Sequence, residues 1–114
     1  MISIDALIHS TSESPDSIDF ATTLAVIDGN YTFTPTAFKN GNADNKAGEN
    51  SGSCKLFAFA EMFQLTADQT LALFGEHYRS VRDTPDGTDH QNIRNFIAQG
   101  WEGIEFLGEA LSAR

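Results

Sequence analysis

The sequence predicts an α+β fold: a mostly helical single domain of four or five helices carrying a small two-stranded β element. Three observations predict it. Apolar residues recur at helical spacing behind N-cap signals in several segments. One short stretch, residues 31–38, is dense in aromatic and β-branched side chains, which favour an extended chain. A chain of 114 residues with 40% apolar and 20% charged side chains suits one globular domain over 1–114. Nine Phe, one Trp and two Tyr supply the core.

Ile4, Leu7 and Ile8 sit at helical spacing but lead into a polar stretch, so the sequence suggests only a short helix there and a frayed segment over 1–13. Ser14, Pro15 and Asp16 form a helix-start signal, because Pro tolerates the first helical position. Ile18, Ala21, Leu24, Ala25 and Ile27 then make an apolar stripe closed by Gly29 and Asn30, which predicts a helix over 15–28. The stretch YTFTPTAF at 31–38 reads as an edge strand, since Pro35 cannot donate to a ladder. Residues 39–53 hold four Asn and three Gly and no large apolar side chain, and read as a long loop.

Beyond the loop, Ser51 or Ser53 caps a helix whose Leu56, Phe57, Phe59, Ala60, Met62 and Phe63 surround it, so it belongs at the centre. Thr66 with Gln69 makes a capping box ahead of Leu71, Leu73, Phe74 and Tyr78. Pro85, Asp86 and Gly87 form a turn, and Thr88 with Gln91 suggests a second capping box for a helix with Ile93, Phe96 and Ile97, ending near Gly100. The segment GWEGIEF alternates weakly and is expected to pair with the Tyr31 stretch, leaving 108–114 frayed. Phe57, Phe59, Phe63, Phe74, Phe96 and Trp101 are expected in one core.

Sixteen acidic against seven basic residues give a net charge of −9, which disfavours nucleic acid and anionic membrane as partners. One cysteine excludes an intrachain disulfide, and the chain tolerates a reducing compartment. No apolar run is long enough to span a bilayer, and a start without basic and apolar regions leads us to expect no Sec signal. We expect a monomer in the bacterial cytoplasm, with the hydroxyl-rich first residues an alternative export signal. No nucleotide-binding, metal-ligand or serine-hydrolase motif occurs, so neither cofactor nor metal is expected.

Cys54 follows Gly52 and Ser53 at a helix start, where free amides and the macrodipole lower a thiol pKa; equally, a lone cysteine there is often a small buried apolar group. His90, beside Asp89 in the expected first turn of the last helix, is the candidate base. His77 is expected on an exposed helix face near its end.

PTAFKNG at 35–41, NSGSCKLFAFA at 50–60, QTLALFG at 69–75, and DHQNIRNF with GW over 89–101 together resemble the HopJ family of type III effectors. The family pattern has an aromatic where this chain has His77 and a Leu where it has Arg82. The resemblance implies an effector that acts by binding a protein partner or small polar ligand, and export by a type III system; no reaction is established for it. The alternatives are a thiol hydrolase or acyltransferase built on Cys54, His90 and Asp89, and a housekeeping binder of a small polar ligand through the Asn and Gly-rich loop. The family-like residues without an evident core role are Asn40, Gly41, Asn50, Ser53, Cys54, Lys55, Asp89, His90, Asn92 and Arg94. They divide between the loop with its helix start and the start of the last helix. We expect these two places to face each other, as one shared site or one buried hydrogen-bond network.

Overall fold

The computed structural model describes residues 2–114, leaving Met1 of the expected frayed segment outside. The architecture is α+β, with six α-helices and five short strands in two small sheets among the described residues. The helices are α1 (Ile4–Glu13), α2 (Phe20–Asn30), α3 (Ser51–Met62), α4 (Ala67–Leu73), α5 (Glu76–Asp83) and α6 (Gln91–Gln99). The strands are β1 (Tyr31–Phe33), β2 (Phe38–Asn40), β3 (Ala43–Asn45), β4 (Ile104–Phe106) and β5 (Leu111–Ala113).

The apolar α3 lies at the centre against α2 and α4, and α4 packs in turn on α1 and α6. Phe57 is the hub of the core. Its ring meets those of Phe96 at 5.0 Å, Phe74 at 5.4 Å, Phe38 at 6.1 Å and Trp101 at 6.3 Å. Trp101 is half-buried and donates from Nε1 to the Leu65 carbonyl at 2.9 Å, which answers the polar end of its ring. Phe63 departs from the expected core at 37% exposure, because α3 ends just before it and the chain turns away through Gln64 at φ 55°.

The N-terminal segment forms a ten-residue helix, longer than the short one the sequence suggests. Ser3 caps it by accepting from Ala6 N–H, Leu7 is buried, and Gln69 of α4 donates to Thr11 and Ser12. Three apolar residues suffice because α4 offers both a groove and polar partners. The expected helix start at Pro15 is only a short 3₁₀ turn, Pro15–Ser17, and α2 begins at Phe20. Tertiary partners decide this: Arg79 Nη1 donates to the Ile18 carbonyl at 3.0 Å, and Glu76 Oε1 accepts the Phe20 N–H at 2.7 Å. The Thr66–Gln69 capping box forms at the start of α4 as predicted. The helix expected to run through Tyr78 breaks into α4 and α5 at Gly75, whose φ of 60° is left-handed and where a Cβ would lie 2.7 Å from the Ile18 carbonyl. The extra helix comes from that glycine.

The β element is larger than the two strands the sequence suggests. Pro35 splits the 31–38 stretch, so β1 pairs antiparallel with β5 and β2 pairs with both β3 and β4. The tail 104–106 thus joins Phe38–Asn40, Ile104 opposite Asn40, and not the Tyr31 end. Residues 111–113, expected to fray, hold β1 with Leu111 buried. The loop read over 39–53 contains a hairpin: Gly41, at φ 62°, turns β2 into β3.

Phe57→Ala should lower the unfolding free energy by about 4 kcal/mol, because a fully buried ring leaves a cavity among four aromatic neighbours. Phe63→Ala should cost about 1 kcal/mol or less. Chemical denaturation of both variants checks the assignment, and equal midpoints would contradict it.

Candidate functional site

Three asparagines from three elements are buried together: Asn40 closing β2, Asn45 closing β3, and Asn92 in the first turn of α6. Asn45 and Asn92 form a reciprocal amide pair, Asn45 Nδ2 donating to Asn92 Oδ1 at 3.2 Å and Asn92 Nδ2 to Asn45 Oδ1 at 3.1 Å. Asn40 Nδ2 donates to the Asn92 carbonyl at 2.8 Å and to its Oδ1 at 3.0 Å. Asn50, just before α3, donates to Asn45 Oδ1 at 2.7 Å, and Asn95 of α6 donates to the Asn40 carbonyl at 3.0 Å. Buried amides are costly unless paired, so this mesh fixes the hairpin, the α3 start and the α6 start relative to one another. Asn40 Oδ1 is the buried side-chain atom left without a partner among the described residues. Gly41 lets the hairpin press on α6, since a Cβ there would lie 2.8 Å from Gln99 Nε2.

Beside this mesh, a pocket of about 380 Å³ opens between the starts of α3, α5 and α6, lined by Phe20, Asn50, Gly52, Ser53, Phe74, His77, His90, Gln91, Asn92 and Ile93. Of the helices whose first turns reach it, α3 and α6 are preceded by a non-glycine residue in the left-handed region, Asn50 at φ 49° and His90 at φ 51°. Asn and His tolerate that region better than most residues. The aromatic wall is a ladder: Phe20 stacks on Phe74 at 6.0 Å, meets His77 edge-on at 4.9 Å, and His77 faces His90 at 5.1 Å.

No acidic side chain lines the pocket, in a chain with sixteen. The two carboxylates next in sequence to the histidines each have another partner, although Asp89 Oδ2 also lies 3.9 Å from His90 Nε2. Asp89 pairs with Arg94 Nη2 at 2.6 Å, and the guanidinium's hydrogen bond holds its carboxyl below the usual carboxylate range. Glu76 is held below that range chiefly by the Phe20 N–H it accepts.

The structure brings Asn50, Ser53, His90 and Asn92 to one pocket and Asn40 to the mesh behind it. It does not bring Cys54 there. Cys54 is one residue, about 100°, round α3 from Ser53; it is 1% exposed, with Sγ 3.5 Å from the Thr36 carbonyl. Burial pushes its thiol up, opposite to the lowering expected at a helix start, with the Thr36 contact a smaller opposing effect. Lys55 pairs with Asp28 at 2.9 Å and lies over the Phe33 ring, tying α3 to α2. Arg94 also donates to the Thr84 carbonyl at 2.7 Å and to the Asp89 carbonyl at 2.6 Å, clamping the turn before α6.

The expected Thr88 cap is not made: Gln91 Nε2 donates to the Thr88 carbonyl, and Asp89 and His90 precede α6 instead of sitting in its first turn. His77, expected exposed near a helix end, is half-buried at the start of α5, because Gly75 breaks the chain just before it. Sequence reading missed Asn45 and Phe20. The Gly41–Asn42 pair between the Phe38 and Asn45 segments is a hairpin signal that would have given Asn45 an inward-facing register; Phe20 carried no signal. Among the described residues no cluster of three His, Cys, Asp or Glu side chains could hold a metal.

Asn92→Ala should destabilise the fold by about 2 kcal/mol, because it removes the buried Oδ1 that Asn40 and Asn45 share as acceptor and the Nδ2 that donates to Asn45, while Asn40 keeps the main-chain carbonyl at 92. Asn42→Ala, at an exposed turn position, should cost well under about 1 kcal/mol. Thermal or denaturant unfolding of the two checks this, and an Asn92→Ala variant as stable as the wild type would contradict it.

The fold and sequence have known counterparts. The crystal structure of VPA0580, described as a protein of unknown function, superposes with a TM-score of 0.95 at 50% sequence identity, covering 99% of this chain and 95% of that one. No curated protein matches the chain. The family model for the HopJ type III effector protein matches residues 4–111. The chain therefore belongs to the HopJ type III effector protein family.

Proposed function

We propose that this family member works by binding and not by catalysis, and that the pocket between the starts of α3, α5 and α6 is its recognition site. The observation that carries the reading is the position of Cys54: the chain's one thiol is sealed against the Thr36 carbonyl, outside the pocket that holds both histidines. A nucleophile needs a base within hydrogen-bond reach and an open path to substrate, and Cys54 has neither. The asparagine mesh supports the same reading, because a preformed polar pocket on rigid helix starts loses little freedom when it is filled. In this reading the protein is an effector delivered by a type III system to a partner or ligand. Engagement of the N-terminal segment by an export apparatus requires α1 to leave the core, since Leu7 is buried.

Alkylation of Cys54 in the folded protein decides between binding and thiol chemistry. We expect it to be inert to iodoacetamide under native conditions, to react once denaturant unfolds the chain, and to be insensitive to His90→Ala. Alkylation in the native state at the rate of a free thiol, slowed by His90→Ala, would overturn the reading.

A further inference from the structure

We propose that the pocket lined by His77 and His90 binds a small molecule through an oxyanion group, a carboxylate or a phosphate. The inference rests on the binding reading above and names its ligand class. Its first support is the pair of imidazoles on the pocket wall, packed side by side with ring centroids 5.1 Å apart. Neither ring makes a hydrogen bond within the chain among the described residues; His90 Nε2 is 3.9 Å from Asp89 Oδ2, too far for one. An imidazole presents at least one N–H donor in either protonation state, so the pair offers donors whatever its charge.

The second support is the charge pattern. A chain of net charge −9 places no carboxylate in this pocket. The acids adjoining the two histidines are occupied, Asp89 by Arg94 and Glu76 by the Phe20 N–H. Arg94 thereby acts as a positioning residue: its guanidinium offsets the charge of the Asp89 carboxylate, whose Oδ2 lies 3.9 Å from His90 Nε2. Gly52, Ser53, Gln91 and Asn92 add backbone donors from the first turns of α3 and α6, neither of which is capped by a side chain. Phe20 and Phe74 form an apolar wall that suits a carbon skeleton attached to the anionic group, in a volume of small-ligand size.

The test is an NMR titration of the full chain with inorganic phosphate, acetate and benzoate, with benzamide and zinc chloride as controls. Saturable shifts of the His77 and His90 ring protons and of the Ser53 and Asn92 amides are expected with at least one anion and not with benzamide. The phosphate and carboxylate arms show which group is preferred. His90→Leu, and independently His77→Phe, which keeps a ring against Phe20, should each weaken that anion by about tenfold or more. If His90→Leu does not fold, His77→Phe carries the test. Absence of saturable shifts with every anion, an equal response to benzamide, or a response to zinc alone would overturn the proposal. An anion failure with Cys54 inert removes the ligand class and leaves the binding reading, whereas a reactive Cys54 removes the binding reading itself.

Discussion

The reciprocal amide pair between Asn45 and Asn92 is the constraint on which the functional end of the molecule depends. Each side chain comes from a separate element, one from a hairpin, the other from the last long helix. Each is buried, so each would be expensive if left alone. Together with Asn40 they convert a segment with no large apolar side chain into a fixed support. Asn50 extends the support to the start of α3, and so sets where Ser53 stands relative to His90. Hydrophobic burial cannot do this for residues 39–53, which contribute almost nothing apolar; directional hydrogen bonds can.

The aromatic core does the complementary work. Phe57 meets rings from β2, from the residue closing α4, from α6 and from the segment after α6, so the sheet and the helices are held to one centre. Phe74 belongs to both systems, touching Phe57 on one side and Phe20 of the pocket ladder on the other. The pocket is therefore an outgrowth of the core, with His77 and His90 as the polar end of the same run of rings. Its geometry inherits the rigidity of well-packed interiors.

Local signals revealed the helices whose caps and stripes are self-contained. The Thr66–Gln69 box stands where the residues place it, and the apolar α3 lies at the centre as its stripe suggests, but its cap position is held by Asn50 with no side-chain cap bond and not by the expected Ser51 or Ser53. Signals failed where a distant partner decides. Ser14–Pro15 looks like a helix start, yet Glu76 and Arg79 pull the true start to Phe20. Thr88 looks like a cap, yet Gln91 reaches its carbonyl and His90 takes the cap position in a left-handed conformation. The two polar groups expected to face each other do meet through Asn40, Asn50 and Asn92, because both lack packing roles and must find partners. Cys54 could not be placed by sequence: a helix start permits either a free or a sealed thiol, and only the Thr36 carbonyl opposite settles which.

Hydrogen exchange of an Asn45→Ala variant tests most directly whether the asparagine mesh holds the site. Asn45→Ala removes the link between Asn50 and Asn92 while leaving the β2–β3 backbone pairing intact. Amides over residues 46–54, including the Cys54 N–H that donates to the Asn50 carbonyl at 2.9 Å, should then exchange faster than in the wild type. Amides in the interior of α3 and in the β2–β4 pairing should keep their protection. Unchanged exchange over 46–54, or a uniform loss across the whole chain, would contradict a mesh that specifically fixes the pocket.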